Sequence, residues 1–236
     1  MQQQESHCVA EGVGREVAPG TSFAGSGVTV RLGDLAITCD GEDIAAQVWG
    51  AGATLAAYLA RSDEEGGGRS LLQDRPEVVE VGSGMGVVGL AAAMAGASRV
   101  VLTDLPEHVP RLRGAIAENA AALEGAGAVV TAEPLPWGDE DAVYDVAPTG
   151  CDVVLGSDLC YNPDLFDALL RTLHELAQIR GSRVLVATEQ RWEHVNECWA
   201  AALARSQLEC VRTVELPTPP RIPRPVLLQE LRVRDD

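Results

Sequence analysis

The chain has 236 residues, and 35 acidic side chains against 18 basic ones give it a formal net charge of −17. All 18 basic side chains are arginine, and the absence of lysine excludes P-loop nucleotide hydrolases and Schiff-base enzymes. The excess of acid argues against a nucleic-acid binder, because phosphate groups are bound mainly by basic side chains.

The first third of the chain is predicted to contain an arm, a β-hairpin and a helix. Residues 1–22 show no hydrophobic period and are predicted to form a mobile arm. Two short alternating runs, 28–32 and 35–38, flank Gly33-Asp34, which is the pattern of a β-hairpin. Apolar residues then recur at helical spacing over 51–61, and a glycine-rich loop follows at 64–68.

From residue 76 onward, predicted strands alternate with predicted helices. The strands are 78–81, 99–103, 129–132, 152–156 and 184–187, and the helices are 87–95, 107–123, 165–176 and 192–206. This alternation predicts a parallel sheet covered by helices on both faces. The last two strand-like runs, 208–214 and 226–233, have no helix between them and are expected to pair antiparallel.

These elements predict an α/β fold: a Rossmann-like, seven-stranded, doubly wound sheet that ends in an antiparallel hairpin. The predicted hairpin and helix at 23–75 and the core at 76–236 are taken as one domain. A sheet with this ending differs from the dinucleotide-binding arrangement and is expected for S-adenosylmethionine-dependent methyltransferases.

The most informative segment is the glycine turn 80–89 (EVGSGMGVVG), between a predicted strand and its helix. Glycines let a ligand approach the backbone, and the helix start offers free N–H groups. From Gly84 onward the turn also matches the dinucleotide fingerprint, so the glycines alone do not separate NAD from S-adenosylmethionine. Glu80 favours the latter, because its carboxylate would attract a sulfonium or order the turn but would repel a pyrophosphate. The alternative is a surface acid at a strand end.

Two further residues are candidates for binding a nucleoside. Asp104 closes the second core strand, where its carboxylate could accept both ribose hydroxyls, or could cap a helix before Pro106. Trp137 follows the third strand, in a predicted loop that also holds Asp139 and Glu140. It is expected to lie beside an adenine ring or, alternatively, only to anchor the loop.

Four segments together resemble the seven-strand protein-lysine methyltransferases of the methyltransferase-like 21 and calmodulin-lysine methyltransferase group. They are 47–59 (QVWGAGATLAAYL), 80–90 (EVGSGMGVVGL), 103–106 (TDLP) and 152–163 (DVVLGSDLCYNP). The resemblance runs from about residue 28 to residue 233, and it implies S-adenosylmethionine as cofactor, S-adenosylhomocysteine as product and a protein substrate that presents a lysine. The cofactor-binding residues expected on this basis are Trp49, Glu80, Gly82, Ser83, Gly84, Gly86, Asp104, Leu105, Trp137 and Ser157.

Asp158 and Tyr161 are the expected catalytic residues. They follow the fourth core strand, at the edge where open α/β sheets bind ligands. A lysine amine has an ordinary pKa of about 10.4 and must lose a proton before it accepts a methyl group. Asp158 is expected to hydrogen-bond this amine and Tyr161 to supply a pocket wall and a hydroxyl. A strand-to-helix connection without a chemical role is the alternative.

Several other functions remain open at this point. They are methylation of a small-molecule amine or a protein histidine, an NAD(P)-dependent oxidoreductase, and a scaffold that binds the cofactor without catalysis. The oxidoreductase is disfavoured because the sequence lacks a Tyr-x-x-x-Lys pair.

The remaining expectations concern metal, location and assembly. Six cysteines without Cys-x-x-Cys spacing predict no metal site and a reduced, cytoplasmic protein. Neither a leader nor an apolar run of ~20 residues is visible, so no membrane contact is expected. We expect a monomer.

Overall fold

The computed structural model describes residues 9–11, 29–39, 43–219 and 221–234. Its strands are β1 (Val9–Glu11), β2 (Thr29–Leu32), β3 (Leu35–Thr38), β4 (Glu77–Val81), β5 (Arg99–Asp104), β6 (Val129–Pro134), β7 (Val153–Ser157), β8 (Arg183–Glu189), β9 (Leu208–Leu216) and β10 (Val226–Val233). Its α-helices are α1 (Gly50–Ala60), α2 (Val87–Ala95), α3 (Val109–Glu118), α4 (Ala120–Ala126), α5 (Glu140–Val146), α6 (Phe166–Gln178) and α7 (Glu193–Arg205).

Seven strands form the central sheet, in the order β6-β5-β4-β7-β8-β10-β9. The strands from β6 to β8 are parallel, whereas β10 pairs antiparallel with both β8 and β9. The predicted fold class, including its antiparallel ending, is therefore confirmed. Strand order reverses between β4 and β7, and the carboxyl ends of the strands at such a point open a crevice that can bind a ligand.

The central strands bury both of their faces, as parallel strands between helices do. Val78 and Leu155 belong to the apolar cluster that contains α1 and α2, whereas Val79 and Val154 belong to the cluster that contains α6 and α7. This switch of cluster between successive residues follows from the two-residue period of a strand. No helix among the described residues is both long and apolar enough to cross a bilayer.

The predicted N-terminal hairpin is confirmed as β2 and β3, and it packs onto the central domain. Val30 and Ile37 are fully buried in the same cluster as α1 and α2. The side chain of Asn119 forms two hydrogen bonds with the main chain of the hairpin. Its Oδ1 accepts from Ala36 N at 2.8 Å, and its Nδ2 donates to Ala36 O at 2.7 Å. This side chain therefore pairs with β3 much as a neighbouring strand would.

Two predicted elements differ from the structure. The helix predicted over 107–123 is divided into α3 and α4 at Asn119, whose Nδ2 also donates to Ala115 O in the preceding turn. Residues 9–11, predicted to belong to a mobile arm, form β1 and pair antiparallel with β2. A strand at a sheet edge pairs through its main chain and needs no hydrophobic period, so the pattern did not reveal it. The rest of 1–22 lies outside the described residues.

Candidate functional site

The glycine turn connects β4 to α2 at the carboxyl edge of the sheet. Gly82, Gly84 and Gly86 have φ angles of 60°, 55° and 75°, a region that glycine adopts without steric cost. A Cβ atom on Gly82 would lie 2.7 Å from Leu159 Cδ2 and 3.2 Å from Trp137 Cζ2. The glycine therefore gives the turn its backbone conformation and lets it approach Trp137.

Ser83 fastens the turn to the neighbouring strand. Its N–H donates to Thr103 O at 2.8 Å, and its hydroxyl accepts from Thr103 N at 3.0 Å. Thr103 Oγ1 in turn donates to Glu80 O at 2.7 Å. Ser83 is buried, so its hydroxyl shapes the turn from inside.

Glu80 is a buried acid that caps a helix. Its Oε2 accepts from Gly89 N, in the first turn of α2, at 2.9 Å. Burial raises the pKa of Glu80 to about 8, although hydrogen bonds from Gly89 and Ser83 act in the opposite direction. Of the alternatives drawn from the sequence, the surface acid is wrong and the ordering of the turn is the geometry observed. A carboxyl group that is largely protonated at neutral pH would offer little charge to a sulfonium.

Asp104 lies across the turn, at the end of β5. Its Oδ2 accepts from Gly84 N and its Oδ1 accepts from Leu105 N, both at 2.8 Å. Helix α3 begins only at Val109, so the alternative role of Asp104 as a helix cap is wrong. Each carboxylate oxygen can accept more than one hydrogen bond, so both retain capacity for a ligand hydroxyl. Leu105, the next residue, is exposed.

Trp137 is held beside the turn by its own loop. Gly138 N donates to Thr172 Oγ1 of α6 at 2.7 Å. Asp139 and Glu140 were predicted to lie in a loop, but they begin a helix. Asp139 caps α5 by accepting from Ala142 N at 3.0 Å. An acidic residue is favoured at a helix start by the N–H groups and dipole there, which is why the loop ends at this point. The residues that line an open surface depression here are Trp137, Gly138, Asp139, Glu140 and Asp141.

Asp158 follows β7 with a φ of 54°, in the left-handed region. Its Oδ2 accepts from Ala51 N, in the first turn of α1, at 2.8 Å, and its Oδ1 lies 3.5 Å from Glu189 N. Burial raises the pKa of Asp158 to about 6, while the charge of Arg191 opposes this rise. The preceding Ser157 also faces α1, because its Oγ would lie 3.2 Å from a Cβ on Gly52.

Tyr161 lies just after the carboxyl end of β7 and remains 41% exposed. Partial burial raises the pKa of its hydroxyl, and the negative charge of Asp104 raises it further. Cys160 beside it is buried, and burial raises the pKa of its thiol to about 12, which leaves it unreactive as a nucleophile.

Trp49 precedes α1 and contacts Arg191, which belongs to none of the motifs in the sequence. Its Nε1 donates to Ile44 O at 2.9 Å, and the guanidinium carbon of Arg191 lies 4.9 Å from its ring centroid. Arg191 also pairs with Asp158 and Glu189. Its position just after β8, at the ligand-binding edge of a parallel sheet, was the signal available in the sequence.

The predicted site residues come from separate elements that end or begin at the carboxyl edge of the parallel strands. Leu105 and Tyr161 are exposed, and the half-buried residues are Trp49, Gly82, Gly84, Asp104, Trp137 and Ser157. Glu80, Ser83, Gly86 and the side chain of Asp158 are buried. Asp158 and Glu189 are charged groups removed from water, so this region can bind and orient a polar group in a mostly dry environment.

Comparison with known proteins gives consistent results. EEF1A lysine methyltransferase 3 of Mus musculus is 33% identical over 151 residues, 64% of this chain and 58% of that protein. Protein N-lysine methyltransferase METTL21A of Mus musculus is 34% identical over 150 residues, 64% of this chain and 63% of that protein. The chain therefore matches about three fifths of the length of these relatives.

Solved structures support the fold. A protein described as a SAM-dependent methyltransferase from Streptococcus mutans aligns with a TM-score of 0.55 at 10% identity, over 84% of this chain and 53% of that chain. A methyltransferase structure complexed with SAH aligns with a TM-score of 0.54 at 9% identity, over the same shares of the two chains.

A family model described as lysine methyltransferase matches residues 34–203, which run from β3 into α7 and include every site residue discussed above. The match extends over well more than half of the chain. The protein therefore belongs to the lysine methyltransferase family.

Proposed function

We propose that the protein is an S-adenosylmethionine-dependent N-methyltransferase that modifies a lysine side chain of a protein. The observation that carries the proposal is the placement of Asp104, Asp158 and Tyr161 at or just after the carboxyl ends of β5 and β7, the edge at which open α/β sheets bind ligands. Family membership supports the type of reaction. The relatives, which are named as protein lysine methyltransferases, support a protein as the substrate.

The residues around the glycine turn fit S-adenosylmethionine. Asp104 has hydrogen-bonding capacity left for ribose hydroxyls, Gly82 and Gly84 are only half-buried, and Trp137 offers an aromatic surface. Trp49, Leu105 and Ser157 would complete the walls. When bound, this cofactor supplies a methyl group on a positively charged sulfur.

Asp158 is suited to orienting the nucleophile. Its Oδ2 is held by Ala51 N, whereas the contact of its Oδ1 with Glu189 N is long, at 3.5 Å. We assign Oδ1 as the acceptor of a hydrogen bond from the lysine amine. With a pKa of about 6, Asp158 is too acidic to retain the proton that the amine must lose, so that proton passes to water. Asp158 therefore orients the amine, and Tyr161 shields it from solvent.

The charge of the protein suits a basic substrate. A net charge of −17 attracts a lysine-bearing segment, and the absence of lysine prevents the enzyme from modifying its own lysine side chains. We further propose that residues 23–236 act as one domain in a monomeric, cytoplasmic enzyme without a nucleic-acid partner. None of the described cysteines is in a disulfide, and three of them are buried, which suits a reducing compartment.

Ligand binding provides the first test. The melting temperature is measured with S-adenosylhomocysteine and with NAD, and the proposal requires a shift with the former. A shift with NAD alone would contradict the assignment of the cofactor.

Transfer of a tritiated methyl group to proteins of a cell extract provides the second test. Asp158→Asn is expected to abolish most of the labelling. The matched control is Asp152→Asn, at the opposite end of β7, where Asp152 accepts from Glu77 N. Mass spectrometry of the labelled product identifies the modified residue: lysine supports the proposal, and histidine or a small amine refutes the assigned substrate. Cofactor binding without any labelled product would indicate a scaffold.

A further inference from the structure

Arg191 follows β8 and has only 6% of its side chain exposed. Its Nη2 lies 3.1 Å from Asp158 Oδ2 and 3.0 Å from Glu189 Oε2, and its Nε donates to Glu189 Oε2 at 3.1 Å. We propose that Arg191 is a positioning residue that keeps Asp158 ionised and in place beside the crevice. This inference rests on the proposed function for the role of Asp158.

Two carboxylates this close in a buried place require a cation. Asp158 and Glu189 have 7% and 5% of their side chains exposed, so neither charge is stabilised by bulk water. Arg224 offers a second positive charge, but its Nη1 lies 3.8 Å from Glu189 Oε1 and its side chain is 31% exposed. Arg191 is therefore the principal counter-charge of the pair.

The groups around Asp158 come from three directions. The start of α1 provides Ala51 N, the end of β8 provides the negative Glu189 and the positive Arg191, and the chain just after Asp158 provides the thiol of Cys160. Removing Arg191 would leave Asp158 beside a like charge, with main-chain N–H groups as its remaining favourable partners.

The guanidinium is held by aromatic rings as well as by carboxylates. Its carbon lies 4.9 Å from the ring centroid of Trp49 and 5.9 Å from that of Trp192. A planar guanidinium can stack on a ring and still bind carboxylates through its edge, which a lysine ammonium cannot do. Arg191 thus connects Trp49, before α1, to Asp158, after β7. Both residues belong to the proposed site.

The expected effect follows from the charge. The pKa of Asp158 is about 6 with Arg191 in place. Loss of an opposite charge at this distance raises a carboxyl pKa by about 1–3 pH units. In Arg191→Met, Asp158 would then be largely protonated at pH 7 and would be a poorer acceptor for the amine.

The experiment compares Arg191→Met and Arg191→Lys with a matched control. Arg183 lies at the opposite end of β8 and also binds an acidic side chain, donating to the two carboxylate oxygens of Glu230 at 3.0 and 3.1 Å. Carbon-13 NMR follows the titration of Asp158, assigned by its disappearance in Asp158→Asn, and methyl-transfer kinetics give kcat and KM against pH.

We expect Arg191→Met to raise the pKa of Asp158 by at least one pH unit and to lower kcat about tenfold or more at pH 7, with recovery at higher pH. Arg191→Lys is expected to give a smaller rise in the pKa of Asp158 and a smaller loss of kcat, because lysine keeps the positive charge but lacks the planar guanidinium. Arg183→Met should change stability but neither the Asp158 titration nor the pH profile.

An unchanged Asp158 titration in Arg191→Met, or an equal change in Arg183→Met, would overturn the proposal. If Arg191→Met does not fold, Arg191→Lys provides the test. A wild-type kcat and a wild-type Asp158 titration in Arg191→Lys would then overturn the proposal. If the wild-type protein transfers no methyl group, the proposed function fails, while the NMR titration still tests the link between Arg191 and Asp158.

Discussion

Glu80 and Gly89 join the end of β4 to the first turn of α2 through a hydrogen bond of 2.9 Å that passes beneath the glycine turn. The fit is close: a Cβ on Gly89 would collide with Leu102 and would lie 2.7 Å from Glu80 Oε2. The turn is therefore fixed from the inside of the protein, and the side chain that fixes it is a titratable acid.

Glu80→Gln is expected to make stability less dependent on pH. The pKa of Glu80 is about 8 in the folded protein, against an ordinary value of 4.5, so between these values the unfolded chain has lost a proton that the folded chain keeps. The contribution of Glu80 is then fully present below pH 4.5 and falls as pH rises to 8, by at most about 1.4 kcal/mol per pH unit. Urea unfolding at pH 5 and pH 8 measures the difference, and identical pH dependences in the two proteins would contradict the prediction.

Gly82→Ala is expected to weaken binding of S-adenosylhomocysteine and to destabilise the fold. A left-handed alanine costs about 1–2 kcal/mol, and contact of its Cβ with Leu159 and Trp137 adds about 1–3 kcal/mol. Gly33→Ala is the control, since Gly33 has a φ of 58° with no atom within 4 Å of an added Cβ. Thermal unfolding and titration calorimetry compare the two. Equal losses of stability, with unchanged binding, would show that the contacts at Gly82 do not matter.

The rate of methyl transfer is expected to fall more steeply below pH 6 than above it. As pH is lowered towards 6, kcat/KM should fall about tenfold for each pH unit, because the substrate amine becomes protonated. Below that value Asp158 also becomes protonated, because its pKa is about 6, and the fall should approach a hundredfold per unit. Asp158→Asn should retain only the shallow dependence. If kcat/KM of the wild-type protein shows no change of slope near pH 6, Asp158 does not take part in the reaction.

Asn119→Ala is expected to destabilise the protein by about 2–4 kcal/mol, because it leaves both main-chain groups of Ala36 without their side-chain partner. Asn162→Ala is a milder control, since Asn162 only accepts from Asp164 N at 3.1 Å in an exposed turn, and about 0.5–1 kcal/mol is expected. Chemical unfolding gives the free energies, and hydrogen exchange at Ala36 N reports the local loss. Equal free energies in the two variants would contradict the role assigned to Asn119.

The sheet could be predicted from the sequence because its strands are short apolar runs bounded by glycine, proline or acidic residues. The alternation of Val78 and Val79 between two cores, however, is invisible in an unbroken apolar run. Helix α5 escaped prediction because only Val143 and Val146 of its seven residues are buried, too few to show a helical period. The break between α3 and α4 depends on Asn119 reaching β3, a contact between distant parts of the chain.

The sequence predicts which residues lie at the candidate site, but it predicts few of the groups to which their side chains bind. The order of strands places Glu80, Asp104 and Asp158 at one edge, and this follows from sequence. That Glu80 caps α2 and Asp158 caps α1 depends on where those helices begin relative to the sheet, which no local pattern specifies. Arg191 was missed because a lone arginine after a strand has no motif of its own.

Asp104 accepts from Gly84 N and Leu105 N through different oxygens, so both ends of its carboxylate are already fixed by the backbone. The rotational freedom of this side chain is therefore lost when the protein folds. A nucleoside that binds to the remaining lone pairs would meet an acceptor that is already oriented, and its affinity would not be reduced by the entropy of ordering that group.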